Sequence, residues 1–104
     1  MIKIEITKTD KECTITAQGH AGYAPRGYDI VCAAVSTLVF TLIDALHDTK
    51  AEHTFTQNSQ TAAMDINVKL DKLNVKSLAC IDMFITGIKL VSTAYPDYII
   101  VQTR

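Results

Sequence analysis

The chain has no run of like charges, no CxxC pair, and no uninterrupted apolar stretch of the roughly 20 residues that a membrane helix needs. Each absence excludes something. With 10 basic residues set against 11 acidic ones, no basic surface is available for tracking phosphates, so direct nucleic-acid binding is not expected. The three cysteines, Cys13, Cys32 and Cys80, are an odd number without paired spacing. That disfavours a disulfide framework and a clustered zinc site, and it suits a reducing cytoplasm. Met1-Ile2-Lys3-Ile4 alternates at once, unlike the charged and then apolar opening of a secretory signal. The most apolar stretch, Ile30 to Leu46, contains Ser36, Thr37, Thr41 and Asp44, so it reads as a buried helix and no membrane attachment is expected.

What is present suits a small enzyme-sized unit. A length of 104 residues with 48% hydrophobic side chains predicts one domain spanning residues 1–104 around one core. A chain this short has little depth for a cleft. Any substrate groove has to lie between elements or across a subunit boundary, which makes dimerisation an early expectation.

Local periodicity supplies the elements. Residues 2–7 alternate Ile2, Ile4 and Ile6 with Lys3, Glu5 and Thr7, the period of a strand with one buried face. After a turn at Asp10-Lys11-Glu12, Cys13, Ile15 and Ala17 alternate with Thr14, Thr16 and Gln18 and complete a hairpin. Gly19, Gly22, Gly27 and Pro25 then interrupt the pattern with an irregular loop from Gly19 to Tyr28, a segment type that often carries function. Asp29 reads as the N-cap of a helix that begins at Ile30, with Val31, Ala34, Val35, Leu38, Leu42 and Leu46 along its stripe. Val39, Phe40 and Ile43 widen this stripe beyond one sheet contact, which a subunit partner would explain.

Two further strands are expected at 52–57 and 62–70, then a helix from Asn74 to Tyr95 with Leu78, Ile81, Ile85, Ile88 and Val91 facing the core. Gly87 within that helix implies a close helix contact or a bend. Pro96 stops the helix, and a last strand covers Tyr98 to Gln102. The result is an α+β fold of order ββαββαβ: a small mixed or antiparallel sheet with both helices on one face.

The residues that can carry chemistry lie between the second strand and the first helix. With Asp29 as cap, Cys32 takes the third helical position, where free backbone N–H groups and the positive end of the helix dipole favour a thiolate. A thiol there is expected to ionise more readily than the free value of about 8.5. His20, leaving the second strand, is the base within reach, and the glycines around it leave room for substrate. Cys plus His is the minimum set for acyl transfer through a thioester. Backbone N–H groups at the helix start can serve an oxyanion. Ser36, one turn after Cys32, either positions His20 or a substrate group or only bonds back to the Cys32 carbonyl, and Asp29 either orients His20 or only caps the helix.

Each residue also has a plainer reading. A lone cysteine at a helix start is commonly a small hydrophobe, and a lone histidine a loop residue. Cys13 and Cys80 fall in apolar stripes and read as core residues, while His47 and His53 read as surface residues. No set of metal ligands accompanies Cys32 and His20.

Gly19-His20-Ala21, a short loop, and then Gly27-Tyr28-Asp29-Ile30-Val31-Cys32-Ala33-Ala34-Val35-Ser36 resemble the signature of the Prp (YsxB-like) ribosomal-processing cysteine proteases. The match is complete at His20, Gly27, Asp29, Cys32 and Ser36. It extends to Ala94-Tyr95-Pro96-Asp97-Tyr98-Ile99, which looks like the family's closing segment. The resemblance implies a cytoplasmic, homodimeric endopeptidase that needs no cofactor and removes a short N-terminal extension from a large-subunit ribosomal protein precursor. It implies His20 and Cys32 as the catalytic pair, Asp29 and Ser36 as support, and a moving substrate loop that includes Gly19, Ala21, Gly22, Tyr23 and Gly27. Cleavage is expected after an aromatic residue. Ala24-Pro25-Arg26 matches no fixed family pattern. The rival from another class is a non-catalytic ribosome-associated docking module in which Cys32 merely packs; an acyltransferase using the same pair is a third reading.

Overall fold

The computed structural model describes all residues from Met1 to Arg104. Its elements are β1 (Ile2–Lys8), β2 (Glu12–Gln18), α1 (Ile30–Asp48), β3 (His53–Gln57), β4 (Met64–Lys69), α2 (Val75–Ala94) and β5 (Ile99–Thr103). The ββαββαβ order is as expected from the sequence, and the boundaries shift by one or two residues. The strands form one five-stranded sheet in the order β3-β4-β2-β1-β5. Only the β1–β5 pair is parallel, so the sheet is mixed.

Alternation decides which face is buried. Ile2, Ile4 and Ile6 of β1, Cys13, Ile15 and Ala17 of β2, and Met64, Ile66 and Val68 of β4 all point to the same side and are buried there. Lys3, Glu5, Thr14, Asp65 and Asn67 occupy the opposite side, which no helix covers and where polar side chains keep their water. Surface pairs such as Lys3–Glu5 at 3.2 Å and Lys69–Glu12 at 3.3 Å contribute little to stability.

The helices lie together on the apolar face. α1 buries Val31, Val35, Val39, Leu42 and Leu46, and α2 buries Ser77, Ile81, Phe84 and Ile88. The extra width of the α1 stripe is covered only in part within the chain, and Phe40 stays exposed. Val39 enters the core, Ile43 packs against it, and the Phe40 ring meets Phe55 of β3 edge to face at 5.9 Å. Gly87 supplies the expected close contact, because a Cβ there would lie 2.8 Å from Cδ2 of Leu38. By length and composition both helices, of 19 and 20 residues, reach what a membrane span requires, so the shortness expected of the first does not hold. Here their buried stripes cover the sheet.

The end of α1 is closed by backbone geometry. Thr49 is its C-cap, Lys50 follows in the left-handed region at φ 60, Lys50 N–H donates to His47 O at 3.1 Å, and Ala51 N–H donates to Leu46 O at 3.0 Å. This is the paired-bond terminus that favours glycine at the left-handed position. Lys50→Gly is therefore expected to raise stability by about 1 kcal/mol, read as a higher midpoint in urea. The Asn74 amide caps α2 by accepting from Ser77 N–H at 3.2 Å and donates to Thr49 O at 2.9 Å, which ties the start of α2 to the end of α1.

Candidate active site

β2 ends at Gln18, and the chain must turn sharply to leave the sheet beside β1. Gly19 makes that turn at φ +87, packed so closely on β1 that a Cβ would lie 2.5 Å from the Met1 carbonyl oxygen. His20 follows, exposed, and its carbonyl accepts from the Met1 ammonium at 2.6 Å. Two contacts with the start of β1 thus fix the backbone from which the imidazole projects.

Cys32 sits half-buried in the first turn of α1. It shares a cavity of about 170 Å3 with His20 and Ser36. The remaining wall includes Ile2, Ala17, Val35 and Met64, so the floor is apolar where the sulfur and imidazole supply the reactive groups. Ser36 makes no bond back to the Cys32 carbonyl, unlike Thr37, whose hydroxyl donates to Ala33 O at 2.8 Å. A larger, open depression of about 560 Å3 along the β3–β4 hairpin, between Thr56 and Asp65, is lined almost wholly by polar residues and holds neither cysteine nor histidine.

Asp29 stands behind this cavity and does not line it. Its Oδ1 accepts from the N–H groups of Val31 and Cys32, each at 3.0 Å, and its Oδ2 from Tyr23 at 3.1 Å and Ala24 at 3.5 Å. One carboxylate therefore caps α1 and ties down the loop, and it makes no hydrogen bond to His20. The Cys32 N–H bond is the largest cause holding this carboxyl below the usual carboxylate range. Bonds from Ala24, Tyr23 and the Cys32 side chain add to it, and desolvation opposes it.

This corrects the expectation of free N–H groups at the helix start. Those of Val31 and Cys32 are taken by Asp29, whose negative charge shares the positive end of the helix with the sulfur. A substrate oxyanion would have to compete for them.

Asp29 also makes stability depend on pH. Because its folded pKa is lowered, its contribution is complete above the ordinary carboxylate value of about 4 and is lost as the pH falls through the lower folded value. In urea titrations the wild type should exceed Asp29→Asn in stability at pH 7, and the gap should close below about pH 4. A gap of constant size down to the acid limit would show that charge plays no part.

The other residues singled out in the loop divide. Gly19 lines the cavity; Ala21 is buried in the core; Gly22, Tyr23 and Gly27 lie away from the cavity wall. Local sequence reading missed Ala62 and Met64. Met64 reaches the site because β4 pairs with β2, placing it opposite Ala17. Ala62 reaches it through an unusual left-handed backbone at φ 58. Cys13 is buried and desolvation pushes its thiol up. Cys80 is half-buried against the core, His47 is exposed, and the His53 ring bonds at 2.7 Å to Ala51 O.

The family model described as cysteine protease Prp matches residues 1–100. The chain belongs to the Prp cysteine protease family. It is 31% identical over 102 residues to the ribosomal processing cysteine protease Prp of Mycoplasma genitalium, covering 98% of this chain and 95% of that one. It is 32% identical over 85 residues to the Mycoplasma pneumoniae protein of the same name, covering 82% and 81%. The fold agrees with the crystal structure of the S. aureus ribosomal processing protease Prp carrying a covalently linked product peptide. That likeness has a TM-score of 0.89 and 22% identity and covers 100% of both chains. A second S. aureus Prp structure, with a substrate peptide, gives a TM-score of 0.84 at 21% identity over 100% of both chains. Membership in a family of cysteine proteases makes this chain a hydrolase and sets aside the docking-module reading.

Proposed function

We propose that this chain is a cysteine endopeptidase that removes the short N-terminal extension of a large-subunit ribosomal protein precursor, with Cys32 as nucleophile and His20 as base. The observation that carries the reading is the shared cavity: the one cysteine at a helix start and the histidine that ends the neighbouring hairpin open onto the same small space. Its support beyond geometry is the name borne by the two Mycoplasma relatives, ribosomal processing cysteine protease.

The chemistry proceeds with protein groups and water alone. His20 takes the thiol proton, and the Cys32 sulfur attacks the scissile carbonyl carbon. The tetrahedral intermediate then expels the amine, which leaves with the proton held by His20. Water, deprotonated by the same imidazole, attacks the thioester; the new carboxyl end departs and the thiol is restored. Ser36, on the cavity wall one turn from Cys32, supports the site by contacting the imidazole or the peptide, and Asp29 acts through the helix start and the loop. Backbone N–H donors that stabilise the oxyanion are worth about 3 kcal/mol each in such sites. Those at Val31 and Cys32 become available only if Asp29 yields them.

Three free cysteines suit a cytoplasmic place of action, and a homodimer is the expected assembly. The deciding experiment incubates the protein with the extended precursor and reads the intact mass. Loss of the N-terminal segment at one bond is the expected result, and an unchanged precursor overturns the reading.

A further inference from the structure

We propose that Tyr95 and Tyr98 form a dock for the ring of Tyr23 and act as positioning residues for the loop that joins His20 to Cys32. The segment that carries them lines no part of the cavity, so the proposed chemistry leaves it without a role. Its two rings nevertheless hold the loop: Tyr23 meets Tyr95 edge to face at 5.6 Å and 80°, and Tyr98 at 5.1 Å and 77°.

The dock is itself fixed. Tyr95 N–H donates to Val91 O at 2.9 Å, Tyr98 N–H to Tyr95 O at 3.0 Å, and Ile2 N–H to Tyr98 O at 2.9 Å. The turn is thereby strapped between the end of α2 and β1, whose Ile2 lines the cavity. Tyr23 is held by its ring on this dock and by its N–H on Asp29, at 3.1 Å.

Beyond Tyr23 the loop has few ties. Pro25, Arg26, Gly27 and Tyr28 are exposed, and the one backbone bond within them runs from Tyr28 N–H to Pro25 O at 2.9 Å. The loop's position between His20 and Cys32 therefore depends on the Tyr23 anchor and on the adjoining Ala24 N–H bond to Asp29. Edge-to-face pairing uses ring edges and faces, so phenylalanine should serve where alanine or leucine fails.

Arg26 gives a direct readout, because trypsin needs an extended stretch around the bond it cuts and Arg26–Gly27 lies inside the turn closed by Tyr28 N–H to Pro25 O, so cutting speeds up as the loop leaves its dock. In the full chain, Tyr23→Ala is expected to speed that cut about tenfold, the size expected for two lost ring pairs, and to lower the thermal midpoint by no more than about 10 °C, which leaves the chain folded at the assay temperature. Tyr23→Phe should be cut at the wild-type rate. Tyr98→Leu, which alters the dock and not the loop, should speed the same cut and lower kcat/KM on the extended precursor, and Tyr98→Phe should restore both. Equal cutting of wild type and Tyr23→Ala, or cutting of Tyr23→Phe as fast as Tyr23→Ala, overturns the proposal. The activity comparison rests on the proposed function, whereas the trypsin rates do not, so failure of the precursor assay in the wild type would count against the substrate and not against the dock.

Discussion

Cys32→Ala should remove cleavage of the extended ribosomal precursor, with a loss of at least about 10^3-fold, while the protein stays folded. Deleting the proposed nucleophile eliminates the acyl-enzyme route altogether and leaves only whatever rate acceleration binding and N–H donors can supply. The fold should survive because Cys32 is only half-buried and loses a single sulfur atom, so the thermal midpoint is expected to move by a few degrees at most. His20→Ala should lose activity on a similar scale while retaining a thiol that iodoacetamide modifies. Mapped by mass, alkylation should reach Cys32 well before Cys13, which is buried and whose thiol is pushed up by desolvation. Precursor cleaved by the Cys32→Ala protein at the wild-type rate would place the chemistry elsewhere.

Gly19→Ala should damage stability and activity together. A methyl group there meets the backbone oxygen of Met1 at 2.5 Å, at a φ of +87 that an L residue rarely adopts. Backbone cannot move aside as a side-chain tip can, so steric and conformational penalties add to about 2–4 kcal/mol. For a domain of this size that corresponds to a fall in thermal midpoint of roughly 10–20 °C. The next residue is His20, the proposed base, and displacing a group in that role by about 1 Å costs on the order of 10^2-fold in rate. A folded fraction of the variant, measured at low temperature, should therefore cleave the precursor far more slowly than its stability alone explains. Unchanged midpoint and rate would mean that the turn at the end of β2 relaxes freely.

Much of this architecture is legible in the order of residues because its causes are local. The alternation of Ile2, Ile4 and Ile6 marks a half-buried strand and Asp29 marks a helix start, each acting within a few residues of itself; Gly87 marks a close approach but does not name Leu38 of α1 as its partner. What stays hidden depends on pairing between distant segments. Nothing near Met64 says that β4 inserts between β3 and β2, and only that insertion sets Met64 across from Ala17 at the cavity. Phe84 reads as one more apolar residue off the expected α2 stripe, yet it is buried where Ile85 is only half-buried. The occupation of the helix-start N–H groups follows from the cap itself. Asp29 is legible as a cap, but its second oxygen finds Tyr23 and Ala24 only once the loop has folded back.

The parallel pairing of β5 with β1 has a consequence for synthesis. Ile2 through Ile6 align with Ile99 through Thr103, so a chain emerging from a ribosome makes the hairpin, the histidine and the cysteine long before the strand that completes the first edge. Until that stretch clears the exit tunnel, β1 has β2 on one side only and Tyr23 has no aromatic seat. The unfinished polypeptide thus carries Cys32 without a settled loop beside it until Tyr95 and Tyr98 have been added.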